Sequence, residues 1–219
     1  LAALAGALRE VGAQRLAEDD LGPVVQRVRA FGFHLATLDV RQNSAFHDRA
    51  LAALLTHVGI EDGADWPGWS LARRRALLDR ELALPRPFAR PDDVPEGEAR
   101  AVLDVLQVLA RHLATRGPDG PGALIVSMTR STEDLLAVYL LARDAGLLRR
   151  DGDGVWCPLE VVPLFETIDD LDRAPSILED YLAHPVVARS LRERQRRLGL
   201  RSPVQQVMVG YSDSGKDGG

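Results

Sequence analysis

Glu166 and Asp213 are acidic residues that follow two short apolar runs, 159–165 and 205–209, and Arg41 closes a third run over 33–40. A fourth run, 122–128, leads into Thr129 and Arg130 and carries Ser127 near its end. Runs of this kind separated by helical stretches read as buried strands of a parallel α/β fold. In such folds the C-terminal strand ends lie on one face, and that face carries the active site. The sequence therefore places Asp39, Arg41, Ser127, Thr129, Arg130, Glu166, Tyr211, Ser212 and Asp213 near one another. Two carboxylates without soft ligands suit Mg²⁺ or Mn²⁺, hard ions that prefer oxygen and keep waters. Arginine beside such an ion suits a phosphate or carboxylate substrate, because its fork bonds oxyanions in pairs. Any one of these polar residues is equally at home starting a loop or capping a helix. The chemistry rests on their convergence.

Other motifs carry less. Gly210-Tyr-Ser-Asp-Ser-Gly-Lys216 follows a strand and fits the spacing of a phosphate-cradling loop. Asp217 stands where such a loop needs Ser or Thr for Mg²⁺, and Asp213 inside the cradle would repel phosphate. Lys216 is nevertheless the single lysine in a chain with 27 Lys and Arg. His34 reads as a core imidazole, while His47, His57, His112 and His184 lack metal-ligand spacing. Cys157, between Trp156 and Pro158, reads as a small buried filler rather than a nucleophile. The run Arg189 to Arg197 reads as a solvated helix face.

The positioning elements follow from periodicity. Helices are expected over 1–30 (with Gly22-Pro23 opening a second segment), 47–58, 98–115, 175–183 and 186–198. Ser70 caps a helix to about Leu82, and Ser131 with Asp134 forms a capping-box pattern for a helix ending at Gly146. The stretch 84–97, with four prolines, and the segment 150–158 read as loops. The fold class is α/β and helix-rich, either part of a (β/α)₈ barrel or part of a doubly wound sheet with both faces covered.

Composition bounds the partners. With 46% apolar and 27% charged residues over 219 positions, the chain has ordinary globular usage. A net charge of −5 argues against nucleic acid or a membrane surface, and no apolar run reaches transmembrane length. A lone cysteine fits a reducing, cytoplasmic setting. The sequence opens on Leu1 and ends at Gly218-Gly219 in a glycine-rich turn, so it reads as an internal piece, one partial domain over 1–219.

The segment Val207-Met-Val-Gly-Tyr-Ser-Asp-Ser-Gly-Lys-Asp-Gly-Gly219 closely resembles the hallmark motif of the phosphoenolpyruvate carboxylases. Leu38-Asp-Val-Arg-Gln42 is similar to a second motif, with Val40 for isoleucine. Val162-Pro-Leu-Phe-Glu-Thr-Ile-Asp-Asp-Leu171 with Ala174-Pro175, and Ser127-Met128 ahead of a Leu-Ala-Val-Tyr-Leu-Leu helix, continue the likeness from about residue 20 onward. The resemblance implies carboxylation of phosphoenolpyruvate by bicarbonate to oxaloacetate and phosphate, an anaplerotic supply to the tricarboxylic acid cycle. It implies a cytoplasmic homotetramer built on a (β/α)₈ TIM-type barrel with many added helices, using Mg²⁺ or Mn²⁺. Carried over by position, Glu166 and Asp213 are the metal ligands, Arg41 binds the substrate phosphate, and Lys216 lies close by toward bicarbonate. The family's Thr-Ala-His-Pro-Thr type motif does not occur in this sequence, nor does its Gly/Arg-rich closing loop. The 219 residues by themselves are therefore expected to be inactive, and 185–204 reads as an Arg-rich helical insertion. The alternatives are another Mg²⁺-dependent barrel enzyme acting on enolpyruvate or keto acids, a P-loop-like nucleotide binder, and a non-catalytic scaffold whose strand-end residues only cap.

Overall fold

The computed structural model describes residues 1–210 except 33, 35, 85, 119 and 153; Tyr211, Ser212, Asp213 and Lys216 lie outside the described residues. The chain divides into two compact units, Leu1–Leu38 and Asp39–Gly219. In the first, α1 (Ala2–Glu10) stops where Gly12 takes a left-handed φ of +77°, a conformation that costs glycine little. A π-helical turn, Leu16–Asp20, then leads into α2 (Leu21–Phe31), with Pro23 in its first turn as expected. Ala17 is the buried hydrophobic residue of this unit among the described residues.

The second unit opens within β1 (Leu38–Asn43), at Asp39, and continues through α3 (Ser44–His57) and a 3₁₀ turn, Gly63–Gly68, that carries Trp66. Next come α4 (Leu71–Leu82), α5 (Glu98–Arg116), β2 (Pro121–Ser127) and α6 (Thr132–Asp144). A small antiparallel hairpin, β3 (Arg149–Asp151) and β4 (Gly154–Trp156), precedes β5 (Val161–Phe165). The unit continues through α7 (Ile168–Ala183), α8 (Pro185–Leu198) and β6 (Met208–Val209). The main sheet runs β1-β2-β5-β6, with β2 parallel to β5 and β5 parallel to β6.

Several expectations shift, among them the fourth strand, expected over 205–209 and found at Met208–Val209. The first strand begins at Leu38 rather than 33, leaving His34 in a bend, half-buried, before it. β1 is an edge strand, which needs no continuous apolar run, and Asp39 Oδ1 accepts from Ala123 N at 2.7 Å to fix it beside β2. Helix α7 starts seven residues before Pro175, because Thr167 and Asp170 form a reciprocal capping box. The segment 150–158 holds the hairpin instead of a loop, pinned by Arg189 to Asp151 at 2.6 Å and by Cys157 N donating to Ser190 Oγ at 2.9 Å. The arginine run is thus only partly a solvated face. Arg189 is buried, and Arg194 pairs with Glu160 at 2.6 Å.

Helix α6 is the axis of this unit. Every one of its residues is buried, Glu133, Asp134, Arg143 and Asp144 at its ends in ion pairs, and a helix buried all round is stable only when packed on all sides. Leu135, Leu136, Leu140 and Leu141 join α3, α4, α5 and α7 and the residues Leu124, Val126, Val161 and Phe165 of the strands in one core. Each such leucine contributes about 2 kcal/mol through burial. The alternate strand residues Ala123, Ile125, Val162 and Leu164 form a second cluster made of strand side chains, with Met208 against it. Among the described residues, helical side chains therefore join the core on one face of the sheet, where coverage of both faces was expected.

A polar network ties α3 to this core. Asp48 accepts from Trp66 Nε1 at 2.9 Å, Arg74 Nη1 at 3.1 Å and Arg130 Nη2 at 2.8 Å. Arg74 also donates to the Trp66 and Pro67 carbonyls, and its guanidinium lies over the Trp66 ring. The neighbouring His47 is buried, and its Nδ1 has no hydrogen-bond partner among the described residues. Burial pulls its pKa down from 6.5 to about 4, with Asp48 opposing. The imidazole is neutral in the fold, whereas the unfolded chain takes up a proton below pH 6.5. Stability should therefore fall as pH drops from about 6.5 toward 4, by about 3 kcal/mol in total at this site. Urea denaturation of wild type and His47→Gln across that range checks this: the variant's pH slope should be the shallower one.

Candidate active site

Arg41 lies on β1, Glu166 directly follows β5, and Met128 directly follows β2. The fold brings these three together. Arg41 Nη2 donates to Glu166 Oε1 at 2.5 Å, and the Met128 amide donates to Glu166 Oε2 at 3.1 Å. The Glu166 side chain is 6% exposed and that of Arg41 52%, so a fixed, buried carboxylate faces a cation with room to move. Gly210 N donates to the Phe165 carbonyl at 2.9 Å, so the chain that leads to Asp213 leaves β6 beside Glu166.

Met128 is a residue the strand-end reading did not single out. Its φ is +55°, the left-handed region that a side chain with a Cβ seldom occupies. That turn aims its amide at Glu166, while its carbonyl accepts from the Ser44 hydroxyl at 2.7 Å. Ser44 is buried in the first turn of α3, which Asn43 caps by accepting from Ala45 N at 2.8 Å. The chain thus passes from Arg41 through a helix cap to the residue that holds the turn opposite. Met128 falls within the Ser127-Met128 likeness, but no local pattern marks its left-handed backbone, since a non-glycine residue in that region is specified by its tertiary partners.

Among the described strand-end residues, Asp39, Thr129 and Arg130 have structural work. Asp39 holds β2, and Thr129 is fully buried with its hydroxyl on the Val126 carbonyl at 2.8 Å. Arg130 is committed to Asp48 and Asp134, whose carboxylates raise its pKa. Ser131 caps α6 by accepting from Asp134 N, but Asp134 reaches back to Arg130 N and leaves the capping box half-made. Cys157 is buried, and burial pushes its thiol up to about 12, which fits an inert filler.

Glu166 supplies one hard oxygen donor, and its Oε1 already accepts a cationic partner; this is the chemistry a divalent cation requires. Among the described residues no group of three acidic, histidine or cysteine side chains is placed to hold a metal. The family model described as phosphoenolpyruvate carboxylase matches residues 1–219. The chain belongs to the phosphoenolpyruvate carboxylase family. It is 40% identical to the phosphoenolpyruvate carboxylase of Rhodothermus marinus across 97% of this chain and 22% of that protein. The enzyme of that name from Thermus thermophilus is 43% identical across the whole chain and 23% of its own length. That of Xanthomonas euvesicatoria is 44% identical across 88% of this chain and 19% of its own. The chain thus spans about a fifth of the length of these curated relatives. No helix among the described residues is long and apolar enough to cross a membrane.

Proposed function

We propose that this chain forms the metal- and phosphate-binding wall of an enzyme that carboxylates phosphoenolpyruvate with bicarbonate, giving oxaloacetate and phosphate. The observation that carries the reading is the meeting of Arg41 and Glu166, residues 125 apart in sequence, at 2.5 Å on the edge of a parallel sheet. Glu166 and Asp213 would hold Mg²⁺ or Mn²⁺. When bound, that ion supplies positive charge where the enolate oxygen develops. Arg41 neutralises the phosphate as the enol ester P–O bond breaks and the phosphoryl group passes to bicarbonate. The C–O bond of the resulting carboxyphosphate then breaks to release phosphate. The enolate's methylene carbon forms the new C–C bond to the carboxyl carbon, and Lys216 would assist the bicarbonate side. The Met128 amide holds the Glu166 carboxylate in place throughout, through Oε2.

The layering supports a (β/α)₈ barrel over a doubly wound sheet, because among the described residues helical side chains join the core on one face of the strands. Within the complete enzyme we place the chain in a cytoplasmic homotetramer with an anaplerotic role. The catalytic histidine and the closing loop would come from residues outside this sequence, so these 219 residues by themselves should give no turnover. Oxaloacetate formation, coupled to a reduced-nicotinamide dehydrogenase and followed by absorbance, tests both statements. The full-length protein should need phosphoenolpyruvate, bicarbonate and a divalent cation together. Turnover without added bicarbonate or cation would refute the reading.

A further inference from the structure

Strained backbone persists where its surroundings hold it, and it gathers at sites whose geometry must be fixed in advance. Among the described residues, Asp62 and Met128 are the non-glycine positions with a left-handed φ. Asp62 lies in an exposed turn, and a short polar side chain tolerates that region. Methionine has no such means, and Met128 stands beside Glu166 at φ +55°. Its two backbone polar groups are both engaged. The carbonyl accepts from the buried Ser44 hydroxyl at 2.7 Å, and the amide donates to Glu166 Oε2 at 3.1 Å. Ser44 follows Arg41 by three residues, just past the Asn43 cap. The short segment 41–44 therefore supplies the guanidinium that meets Oε1 and the hydroxyl behind the amide that meets Oε2.

We infer that Ser44 is a positioning residue: its hydroxyl holds Met128 in the left-handed turn and so sets where the Met128 amide places the Glu166 carboxylate relative to Arg41. The inference rests on the reading of Arg41 and Glu166 as residues of the reacting site and adds a third residue that acts through the backbone. Glu166 has a further interaction besides these two, so Ser44 adjusts the placement of a carboxylate that is held from several sides. A buried hydroxyl on the carbonyl of a strained residue offsets part of the strain, and removing it lets the peptide relax toward the ordinary region. The Met128 N–H then turns away from Oε2. The fold loses little by this, whereas the geometry of the carboxylate and guanidinium changes.

Steady-state kinetics of the full-length protein, normalised to folded enzyme by urea denaturation, test this. Ser44→Ala should lower kcat roughly tenfold, within the range that a misplacement of about 1 Å costs. The KM for phosphoenolpyruvate should stay within about twofold of wild type, because Arg41 itself is untouched. Ser44→Thr keeps a hydroxyl and should recover most of the lost kcat. A second background isolates the route. Glycine takes a left-handed φ at no steric cost, so in Met128→Gly the turn no longer needs the hydroxyl. Adding Ser44→Ala to Met128→Gly should therefore cost about twofold or less, a non-additivity expected of two residues that act through one turn. A merely structural Ser44 would lower stability and leave the kcat of the folded enzyme unchanged. If Glu166→Gln abolishes turnover but Ser44→Ala keeps kcat within about twofold of wild type, the reacting site stands and the positioning role is overturned. An equal cost of Ser44→Ala in both backgrounds would likewise overturn it, since Ser44 would then act by another route. If Glu166→Gln keeps more than about a tenth of wild-type kcat, the reading of the site is itself wrong and the positioning role falls with it.

Discussion

Asp48→Ala should be among the most destabilising single substitutions in this chain, costing about 3–5 kcal/mol, because it strands a buried arginine. Arg74 is 5% exposed and its closest carboxylate is Asp48 at 3.1 Å; Asp134, at 3.8 Å, is the next. Truncation also leaves the buried Trp66 indole N–H without its acceptor and removes one of the two carboxylates that hold Arg130. Asp48→Asn separates charge from shape. Its amide oxygen still accepts from one donor, so the loss should be smaller, and the gap between the variants isolates the charge. Equilibrium urea denaturation measures both. A cost for Asp48→Ala below about 1 kcal/mol, the scale of a surface ion pair, would show that the network contributes little to stability. Because Arg130 follows the Met128 turn by two residues and Asp48 follows Ser44 by one helical turn, turnover of the full-length protein should fall along with stability in this variant.

That network also explains how far the sequence could be read. Arg41 and Arg130 look alike in the string, since each is an arginine at the end of an apolar run. The fold separates them through Asp48, 82 residues upstream of Arg130, which claims one guanidinium and not the other. Local signals did well where a local cause decides. Ser70 accepts from Arg73 N at the start of α4, and α5 occupies Glu98–Arg116, close to the expected 98–115. They did worse where two local causes compete: Pro175 reads as a helix opener, yet the Thr167–Asp170 box starts the helix earlier and carries it through the proline. Among the described residues of the proline-rich stretch 84–97, Pro91–Asp93 forms a 3₁₀ turn and most of the others are irregular. Asp144 fixes it from a distance, accepting from Phe88 N and Ala89 N. The strand-end rule brought Arg41 and Glu166 together correctly, because it depends on chain direction and not on side-chain packing. Met128 stayed hidden for the opposite reason, its backbone being set by Ser44 and Glu166, far away in sequence.

Glu166→Gln is expected to lower the turnover of the full-length enzyme on the order of 10³-fold while leaving its stability within about 1 kcal/mol of wild type. The two halves of this expectation have separate causes. Glutamine has the size of glutamate, and its carbonyl oxygen can still accept from the Met128 amide, so the turn after β2 keeps its anchor. The partner that loses a charge, Arg41, is half-exposed, and water takes over its solvation at small cost. A neutral amide, however, is a poor ligand for a hard divalent cation and cannot match the charge of the carboxylate. Glu166→Asp gives the complementary case. It keeps the charge but is one methylene shorter, so it cannot reach Arg41 and the Met128 amide together. It should bind the cation weakly and recover part of the activity that glutamine loses. Measuring kcat against Mn²⁺ concentration, alongside urea denaturation, resolves the two effects. A Glu166→Gln enzyme that keeps more than a tenth of wild-type kcat at saturating Mn²⁺ would remove Glu166 from the chemistry and leave it only its tie between β1 and the β2 turn.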